Sequence, residues 1–382
     1  MKNLYADFLE SPRSEIFFTQ SEKSETMTAA QSFVRSLELD EAFLFFPSSG
    51  SSGQKKWMAH SQKSLEAAAH AVNSFVNATE KDVWGVALPS FHLGGYSIFV
   101  RAHLASAQTC QFLQKWNAMA FESFLKEHRV SFTSLVPTQL YDLVQAGVKA
   151  PNNLRAVFVG GAPLSQVLLD AALALAWPVL YCYGLTESAG MILCSEVNKN
   201  SLSLKPLTHV THLQLNNSLL EFSAASLFIG SLYLRDDVFS WEKRVEEKFK
   251  TLDAFSVEED RYCFLSRQSF VKKSKGEFVD FAELAGNWEA FCVQEKMPLK
   301  SVLFWGEDDR DGVQAVLYVE EKFFKSHELE FFAFQKKWNA MALSLHKIQA
   351  IRLIQEIPRL SLEKINFMRL PELAYSLVEN RT

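Results

Sequence analysis

The sequence has no long apolar run and no excess of positive charge, and each absence excludes a broad class of protein. No stretch of about 18 or more apolar residues occurs, so we do not expect a transmembrane helix. Lys and Arg total 39 against 44 Asp and Glu, which gives a net charge of −5. We do not expect nucleic-acid binding either, because no positive excess is available to neutralise phosphates.

Cysteine is scarce too, and its distribution argues against disulfides and metal sites. The five cysteines are odd in number and widely scattered, and no pair has metal-ligand spacing. This pattern is typical of reduced thiols, and the first residues lack the pattern of a secretory signal. We therefore expect a cytoplasmic protein without a zinc site. The cysteines are Cys110, Cys182, Cys194, Cys263 and Cys292.

What the chain does contain is enough apolar material for sizeable cores. Its 382 residues predict about two domains. A hydrophobic content of 48% beside 22% charged residues is typical of a folded globular protein. The 32 Phe and 8 Trp also supply rings for flat apolar pockets.

In the first half of the chain, short apolar runs alternate with helical patterns. The runs predict buried strands, whereas apolar residues spaced three and four apart predict amphipathic helices. Their alternation predicts a mostly parallel sheet with helices on its faces. The predicted strands are 83–88, 132–136, 156–159 and 179–183, and the predicted helices are 61–78, 121–128, 138–145 and 163–176.

The pattern changes twice further along. From about residue 205, short strands with turns predict a small β subdomain. After Ser266-Arg267, strand candidates at 301–305 and 314–319 and a helix at 329–346 predict a small α+β domain. We therefore expect an α/β protein with a large N-terminal domain over 1–267 and a small C-terminal domain over 268–382.

A loop of hydroxyls and glycines follows the apolar run 43–46. Such a loop exposes backbone N–H groups, and Lys55 and Lys56 at its end supply compensating charge, which suits a polyphosphate. The alternative is a flexible Gly/Ser linker. The candidate phosphate-binding residues are Ser48, Ser49, Gly50, Ser51, Ser52, Gly53 and Lys56.

Two segments directly follow predicted strands, at the sheet edge where ligands collect in open α/β folds. In the first, Tyr183 to Glu187, a Tyr ring suits a base, Thr suits phosphate oxygen and Glu suits Mg²⁺. In the second, Gly160 to Pro163, two glycines permit close approach of the backbone to a ligand. An ordinary strand–turn–helix and a plain turn are the respective alternatives.

Three later segments extend this series: Lys250-Thr251-Leu252-Asp253, Ser266-Arg267, and Pro358-Arg359-Leu360-Ser361-Leu362-Glu363-Lys364-Ile365. In this order, and over roughly residues 43 to 369, the segments resemble the adenylate-forming acyl/aryl-CoA ligase superfamily. Without the resemblance, Asp253 could simply cap a turn, and Arg267 and Lys364 could be solvated surface charges.

The resemblance implies that the chain uses ATP, Mg²⁺ and CoA. An acyl-adenylate would form first, with Glu187 on the metal, Thr186 nearby and Lys364 as the adenylation lysine of a mobile C-terminal domain. The CoA thiol would then take the acyl group. The other implied roles are adenine or ribose binding by Gly160, Gly161, Ala162, Tyr183, Gly184, Asp253 and Arg267, and hinge motion or CoA binding by Ser269, Lys273 and Gly276.

A closer resemblance is to the o-succinylbenzoate–CoA ligases of menaquinone biosynthesis. Pro89-Ser90-Phe91-His92-Leu93-Gly94-Gly95 is similar to their Phe-His-x-x-Gly block, and Arg101 follows in the mostly apolar run 96–104. An Arg there is costly to bury unless it meets an anion. The resemblance implies that His92 and Arg101 bind the acyl substrate, with Arg101 on a substrate carboxylate. A satisfied core histidine and a snorkelling surface arginine are the alternatives.

The chain departs from the family at several points. Only 47 residues precede Ser48, so we expect a shortened N-terminal region. Ser269 replaces the usual hinge Asp, and Glu363 replaces the glycine before the adenylation lysine. Two alternatives to this function are a ligase for another aryl or fatty acid, and a non-catalytic adenylate-binding homologue. The sequence leaves open whether the chain forms a homodimer.

Overall fold

The computed structural model describes residues 3–10, 12–19, 22–48, 55–196, 200–274, 277–308, 312–359 and 365–378. These residues form four sheets with helices packed on them. Within these ranges, no helix is both long and apolar enough to cross a bilayer.

The strands of the described ranges are β1 (Glu15–Ile16), β2 (Phe43–Ser48), β3 (Lys55–Ser61), β4 (Val83–Val86), β5 (Gln108–Gln111), β6 (Phe132–Leu135), β7 (Ala156–Gly160), β8 (Val179–Leu185), β9 (Gly190–Cys194), β10 (Lys205–Pro206), β11 (Val210–Asn216), β12 (Leu219–Ala224), β13 (Gly230–Arg235), β14 (Val238–Lys243), β15 (Phe249–Glu258), β16 (Arg261–Arg267), β17 (Val271–Ser274), β18 (Glu277–Asp280), β19 (Ser301–Asp308), β20 (Gly312–Glu320), β21 (Ala350–Ile354) and β22 (Ser376–Val378). The helices are α1 (Leu4–Glu10), α2 (Ser24–Ser36), α3 (Gln62–Val76), α4 (Leu93–Leu104), α5 (Ala118–Glu127), α6 (Pro137–Gln145), α7 (Gln166–Ala174), α8 (Phe281–Gln294), α9 (Glu321–Ser326), α10 (Glu328–Met341) and α11 (Leu370–Leu373). Short 3₁₀ turns occupy Thr186–Ser188, Gln268–Phe270, Ser344–His346 and Phe367–Arg369.

The largest sheet contains the strands that the apolar runs predict. Its order is β10-β9-β8-β7-β6-β4-β5, and the five strands β5, β4, β6, β7 and β8 pair with one another in parallel, whereas β9 is antiparallel to β8. Alternate strand residues supply two cores, with Val157 and Val159 on one face and Ala156 and Phe158 on the other. The predicted α/β class is confirmed. The strands of this sheet are apolar throughout because both of their faces are buried.

A second sheet contains the two strands that flank the Ser/Gly loop in the sequence. Here β2 and β3 form an antiparallel pair, which places Ser48 opposite Lys56, and β3 also pairs with β13. This five-stranded sheet, β1-β2-β3-β13-β14, is mostly antiparallel. The apolar run 43–46 alone does not predict this sheet, because β13, which pairs with β3, lies far along the chain from β3.

The third sheet, β11-β12-β15-β16, is made of the short strands expected after residue 205. The β15–β16 hairpin places Asp253 opposite Arg267. Two residues of the candidate site therefore owe their proximity to a local strand pairing.

The fourth sheet contains only strands that follow residue 270, among the residues described. The strands predicted at 301–305 and 314–319 are confirmed and are longer than predicted. The predicted helix 329–346 was wrong at its end, since α10 ends at Met341 and Ala342 is extended. The chain then folds back in a 3₁₀ turn, where the Trp338 ring N–H donates to the His346 carbonyl.

The C-terminal elements contact the large parallel sheet layer through α8. Helix α8 packs against α7, and the Tyr141 hydroxyl on α6 donates to the backbone carbonyl of Met297. The 3₁₀ turn Gln268–Phe270 connects the last strand of the third sheet to the first strand of the fourth.

Candidate functional site

The segment predicted to bind nucleotide and metal forms the end of β8 and the 3₁₀ turn after it. The Ser188 hydroxyl accepts from the Leu185 N–H at 3.1 Å and contacts the Gly190 carbonyl at 2.7 Å. The Phe228 N–H donates to the Glu187 carbonyl at 2.9 Å. Ala189 then has a left-handed φ of 53°. Side-chain and backbone bonds together set the shape of this turn.

Lys56 and Glu187, which the sequence singled out separately, meet at this turn. The Lys56 Nζ lies 3.7 Å from the Glu187 Oε1, and both side chains are partly buried. No group of three or more acidic, His or Cys side chains suited to a metal occurs in the described ranges. One carboxylate combined with substrate phosphate oxygens is a usual donor set for Mg²⁺, so Glu187 fits that ion.

Tyr183, Asp253 and Arg267 form a second cluster. The Tyr183 hydroxyl donates to Asp253 Oδ2 at 2.7 Å, and Arg267 Nε donates to Oδ1 at 2.7 Å. Burial raises the pKa of Tyr183 well above its usual value. Burial acts to lower the pKa of Arg267, but the Asp253 carboxylate prevails and the pKa is raised. Arg267 also interacts electrostatically with Glu187, so the two clusters are neighbours.

The glycines near Tyr183 have packing reasons of their own. A Cβ on Gly160 would lie 2.7 Å from the Cys182 carbonyl oxygen, and one on Gly184 only 2.1 Å from the Gly190 carbonyl oxygen. Gly161 has a φ of +84°, a backbone conformation that residues with a Cβ rarely adopt. Together with Ala162, they lie at the carboxyl edge of β7 and β8, as predicted, although neighbouring strands alone account for Gly160 and Gly184.

Arg101 is the most unusual side chain near this edge. It lies on α4, is 3% exposed, and its Nε and Nη1 have no hydrogen-bond partner among the described residues. Its guanidinium carbon lies 5.8 Å from the Trp84 ring centroid and 5.5 Å from that of Phe158. Burial lowers its pKa to about 10. The snorkelling alternative is therefore excluded.

His92, the other predicted acyl-site residue, directly precedes α4 and is buried. Its ring centroid lies 4.7 Å from that of Phe91. Gly95, on the first turn of α4, approaches the carbonyl oxygens of Leu88 and Pro89 so closely that any Cβ would clash with them. This segment therefore packs tightly against the end of β4.

Two further predicted residues lie in the segment that follows Arg267. Ser269 lies in the 3₁₀ turn Gln268–Phe270 with a buried hydroxyl that has no described partner, and Lys273 is exposed on β17. Ser49, Gly50, Ser51, Ser52, Gly53, Gly276 and Lys364 lie outside the described residues.

His60 is a residue of this site that the sequence analysis missed. Its Nε2 lies 2.7 Å from the Thr186 carbonyl oxygen and its Nδ1 lies 3.2 Å from the Ser64 hydroxyl. Burial lowers its pKa to about 4. The signal was present in the strand alternation, since His60 and Lys56 fall on one face of β3.

Acid is expected to destabilise the protein through His60 and His209, a second buried histidine whose pKa burial lowers to about 4. The folded state favours both neutral rings, so their stability contribution is complete above the usual pKa of 6.5 and falls as pH drops towards 4. Each contributes at most about 3 kcal/mol. Urea unfolding at about pH 7 and about pH 4.5 measures the loss.

The His60→Gln variant should lose less stability on acidification than wild type, whereas exposed His70→Gln should match wild type. Glu289 acts in the opposite sense, because burial raises its pKa to about 7. Comparison between variants removes that contribution. Equal acid sensitivity of His60→Gln and wild type would contradict the buried, neutral state of His60.

Residues 4–216, more than half of the chain, match the family model described as AMP-binding enzyme. The chain belongs to the AMP-binding enzyme family. The 2-succinylbenzoate–CoA ligase of Staphylococcus aureus (strain MSSA476) is 30% identical over 158 residues, which is 41% of this chain and 32% of that protein. The match therefore spans about a third of the length of this curated relative.

Solved structures of the same fold cover more of this family member. The o-succinylbenzoate CoA synthetase of Bacillus subtilis, in complex with the acyl-adenylate intermediate OSB-AMP, aligns with a TM-score of 0.70 and 19% identity, over 86% of this chain and 68% of that one. ATP-bound MatB from Rhodopseudomonas palustris aligns at 0.66 and 18%, over 86% and 67%. Enzymes of two different names thus share this fold, and the predicted fold class is confirmed.

Proposed function

We propose that this family member is an ATP-dependent acid–CoA ligase that forms an acyl-adenylate from o-succinylbenzoate and transfers the acyl group to CoA. The observation that carries the proposal is the convergence of two charged clusters at one sheet edge. Lys56 and Glu187 form the first, and Tyr183, Asp253 and Arg267 form the second. The named S. aureus relative supports the choice of reaction.

The first half-reaction is positioning and charge neutralisation at this edge. One substrate carboxylate attacks the α-phosphorus of ATP and expels pyrophosphate. Lys56 and the Ser48 end of the loop hold the terminal phosphates, and Asp253 accepts the ribose hydroxyls beside Arg267. Glu187, beside Thr186, would hold Mg²⁺, which would supply withdrawal of charge from the phosphate oxygens. In the described structure Lys56 forms an ion pair with Glu187. In the proposal, nucleotide binding replaces this pair, so that Lys56 contacts phosphate and Glu187 contacts Mg²⁺.

The acyl substrate is proposed from the state of Arg101. A desolvated guanidinium with two unpartnered nitrogens suits a dicarboxylic acid, which has a second carboxylate to pair with it. A fatty acid would leave that charge buried and unpaired. His92 lines the same region at the start of α4.

The second half-reaction uses the C-terminal domain, 268–382. In the proposal this domain turns about Arg267 to Ser269, withdraws Lys364 and brings Lys273 and Gly276 towards CoA, whose thiol attacks the adenylate and releases AMP. The 3₁₀ turn between the third and fourth sheets supports a hinge there. A cytoplasmic location, with reduced thiols, completes the proposal.

ATP–pyrophosphate exchange with a panel of acids tests the proposal. We expect exchange with o-succinylbenzoate and little with benzoate or a fatty acid. Equal exchange with benzoate would overturn the substrate, and ATP binding without exchange for any acid would support the non-catalytic alternative.

A further inference from the structure

Strand β3 contacts the Thr186–Ser188 turn at two points. Lys56 and His60 lie four residues apart on one face of the strand. The Lys56 ammonium approaches the Glu187 carboxylate, and the His60 ring approaches the Thr186 carbonyl. The two contacts join chain segments that are far apart in sequence, since His60 and Thr186 are separated by 126 positions.

The contact geometry defines the proton position on His60. A carbonyl oxygen only accepts hydrogen bonds, so the 2.7 Å contact requires that Nε2 carry the proton. Nδ1 of the neutral ring then has a lone pair, which faces the Ser64 hydroxyl at 3.2 Å. The side chain is 0% exposed, so both ring nitrogens are shielded from bulk water. The low pKa is consistent with a neutral ring at neutral pH.

The bond from His60 completes the anchoring of the turn. The Phe228 N–H holds the Glu187 carbonyl at 2.9 Å, and His60 holds the preceding carbonyl. These two donors come from neighbouring strands of one sheet, since His60 lies on β3 and Phe228 lies just before β13, which pairs with β3. Because both carbonyls are hydrogen-bonded, the backbone from which the Glu187 side chain extends is held in one position.

We propose that His60 is a positioning residue for the divalent cation: its Nε2–H holds the Thr186 carbonyl and thereby sets the places of the Thr186 hydroxyl and the Glu187 carboxylate. The inference rests on the proposed function and deepens it. Without this donor the Thr186 carbonyl loses its side-chain hydrogen bond, and the turn can shift away from the position that binds MgATP.

His60→Gln and His60→Asn form a matched pair of variants. The Gln amide nitrogen falls near the place of Nε2 and can donate to Thr186, whereas the shorter Asn amide falls near the place of Nδ1. We expect the Asn variant to weaken Mg²⁺-dependent ATP binding about three- to tenfold, with Gln close to wild type. Calorimetry at varied Mg²⁺ measures this binding, and AMP binding without Mg²⁺, which we expect to be unchanged, is the control.

Thermal unfolding of both variants separates positioning from a structural role. Equal losses of melting temperature in Gln and Asn, with an unchanged Mg²⁺ dependence, would overturn the inference. If the Asn variant does not fold, ¹⁵N spectra of the wild-type histidines decide: a neutral His60 ring protonated at Nε2 is expected, and a ring protonated at Nδ1 alone would overturn it. Wild type that binds MgATP without pyrophosphate exchange would refute the proposed function, while the binding data would still decide the role of His60.

Discussion

The Arg101→Met variant is expected to unfold at a higher temperature than wild type and to bind o-succinylbenzoate far more weakly. Wild type holds the guanidinium at 3% exposure with two nitrogens unpartnered in the described structure. Such a buried charge is costly, and a Met side chain replaces it with apolar volume. We expect the free energy of unfolding to rise by about 1–3 kcal/mol.

The same substitution removes the proposed partner of a substrate carboxylate. Loss of one charged hydrogen-bonding partner costs about 1.5–3 kcal/mol, so the apparent KM for o-succinylbenzoate should rise about ten- to a hundredfold. The KM for ATP should change little. Steady-state kinetics with each substrate varied, together with calorimetric unfolding, measures both effects.

Arg155→Met is the matched control for this experiment. Arg155 also lies over an aromatic ring, 4.7 Å from the Phe132 centroid, but it is paired with Asp82 at 2.7 Å. Its replacement should lower stability and leave both KM values unchanged. If Arg101→Met behaved in the same way, Arg101 would be a structural residue and the choice of a dicarboxylic substrate would lose its support.

Asp253→Asn is expected to weaken AMP and ATP binding about ten- to a hundredfold. The buried carboxylate accepts from the Tyr183 hydroxyl and from two nitrogens of Arg267. Asn keeps the shape but offers one acceptor oxygen, so its NH₂ must face one of these donors. The ribose hydroxyls, which the proposal places on the same carboxylate, would lose an ionised acceptor.

Calorimetric titration with AMP measures this loss without any need for turnover. Asp260→Asn is the control, because Asp260 lies on the same β15–β16 hairpin but pairs with Lys205 at the surface. That variant should bind AMP as wild type does. Unchanged AMP affinity in Asp253→Asn would remove Asp253 from the nucleotide site, and an equal loss in both variants would indicate a general effect on the hairpin.

Local patterns account well for the layered part of the fold. The apolar runs become β4, β6, β7 and β8, and the helix predicted at 61–78 forms as α3, which begins where the Ser61 hydroxyl accepts from the Ser64 N–H. The error at 329–346 has a local explanation as well. The helical spacing continues past Met341, but the contact of Trp338 with His346 favours a turn there over a further helical turn.

The site divides in the same way. The Tyr183–Glu187 segment and the Asp253 and Arg267 motifs are readable because each depends on residues close in sequence or paired in one hairpin. The desolvation of Arg101 and the anchoring role of His60 are not readable, since both depend on which distant elements surround a side chain. The local sequence around an arginine in an apolar run is the same whether its side chain is exposed or buried.

By itself, then, the sequence determined the α/β class, the order of the motifs and the strand ends at which they lie, because backbone propensity and apolar periodicity act over a few residues. Only the tertiary structure decided that Lys56 meets Glu187, that His60 holds the Thr186 carbonyl and that two nitrogens of the buried Arg101 have no described hydrogen-bond partner. Those contacts arise from packing between segments far apart in the chain. Packing of this kind sets burial and hydrogen-bond partners, which local patterns do not encode.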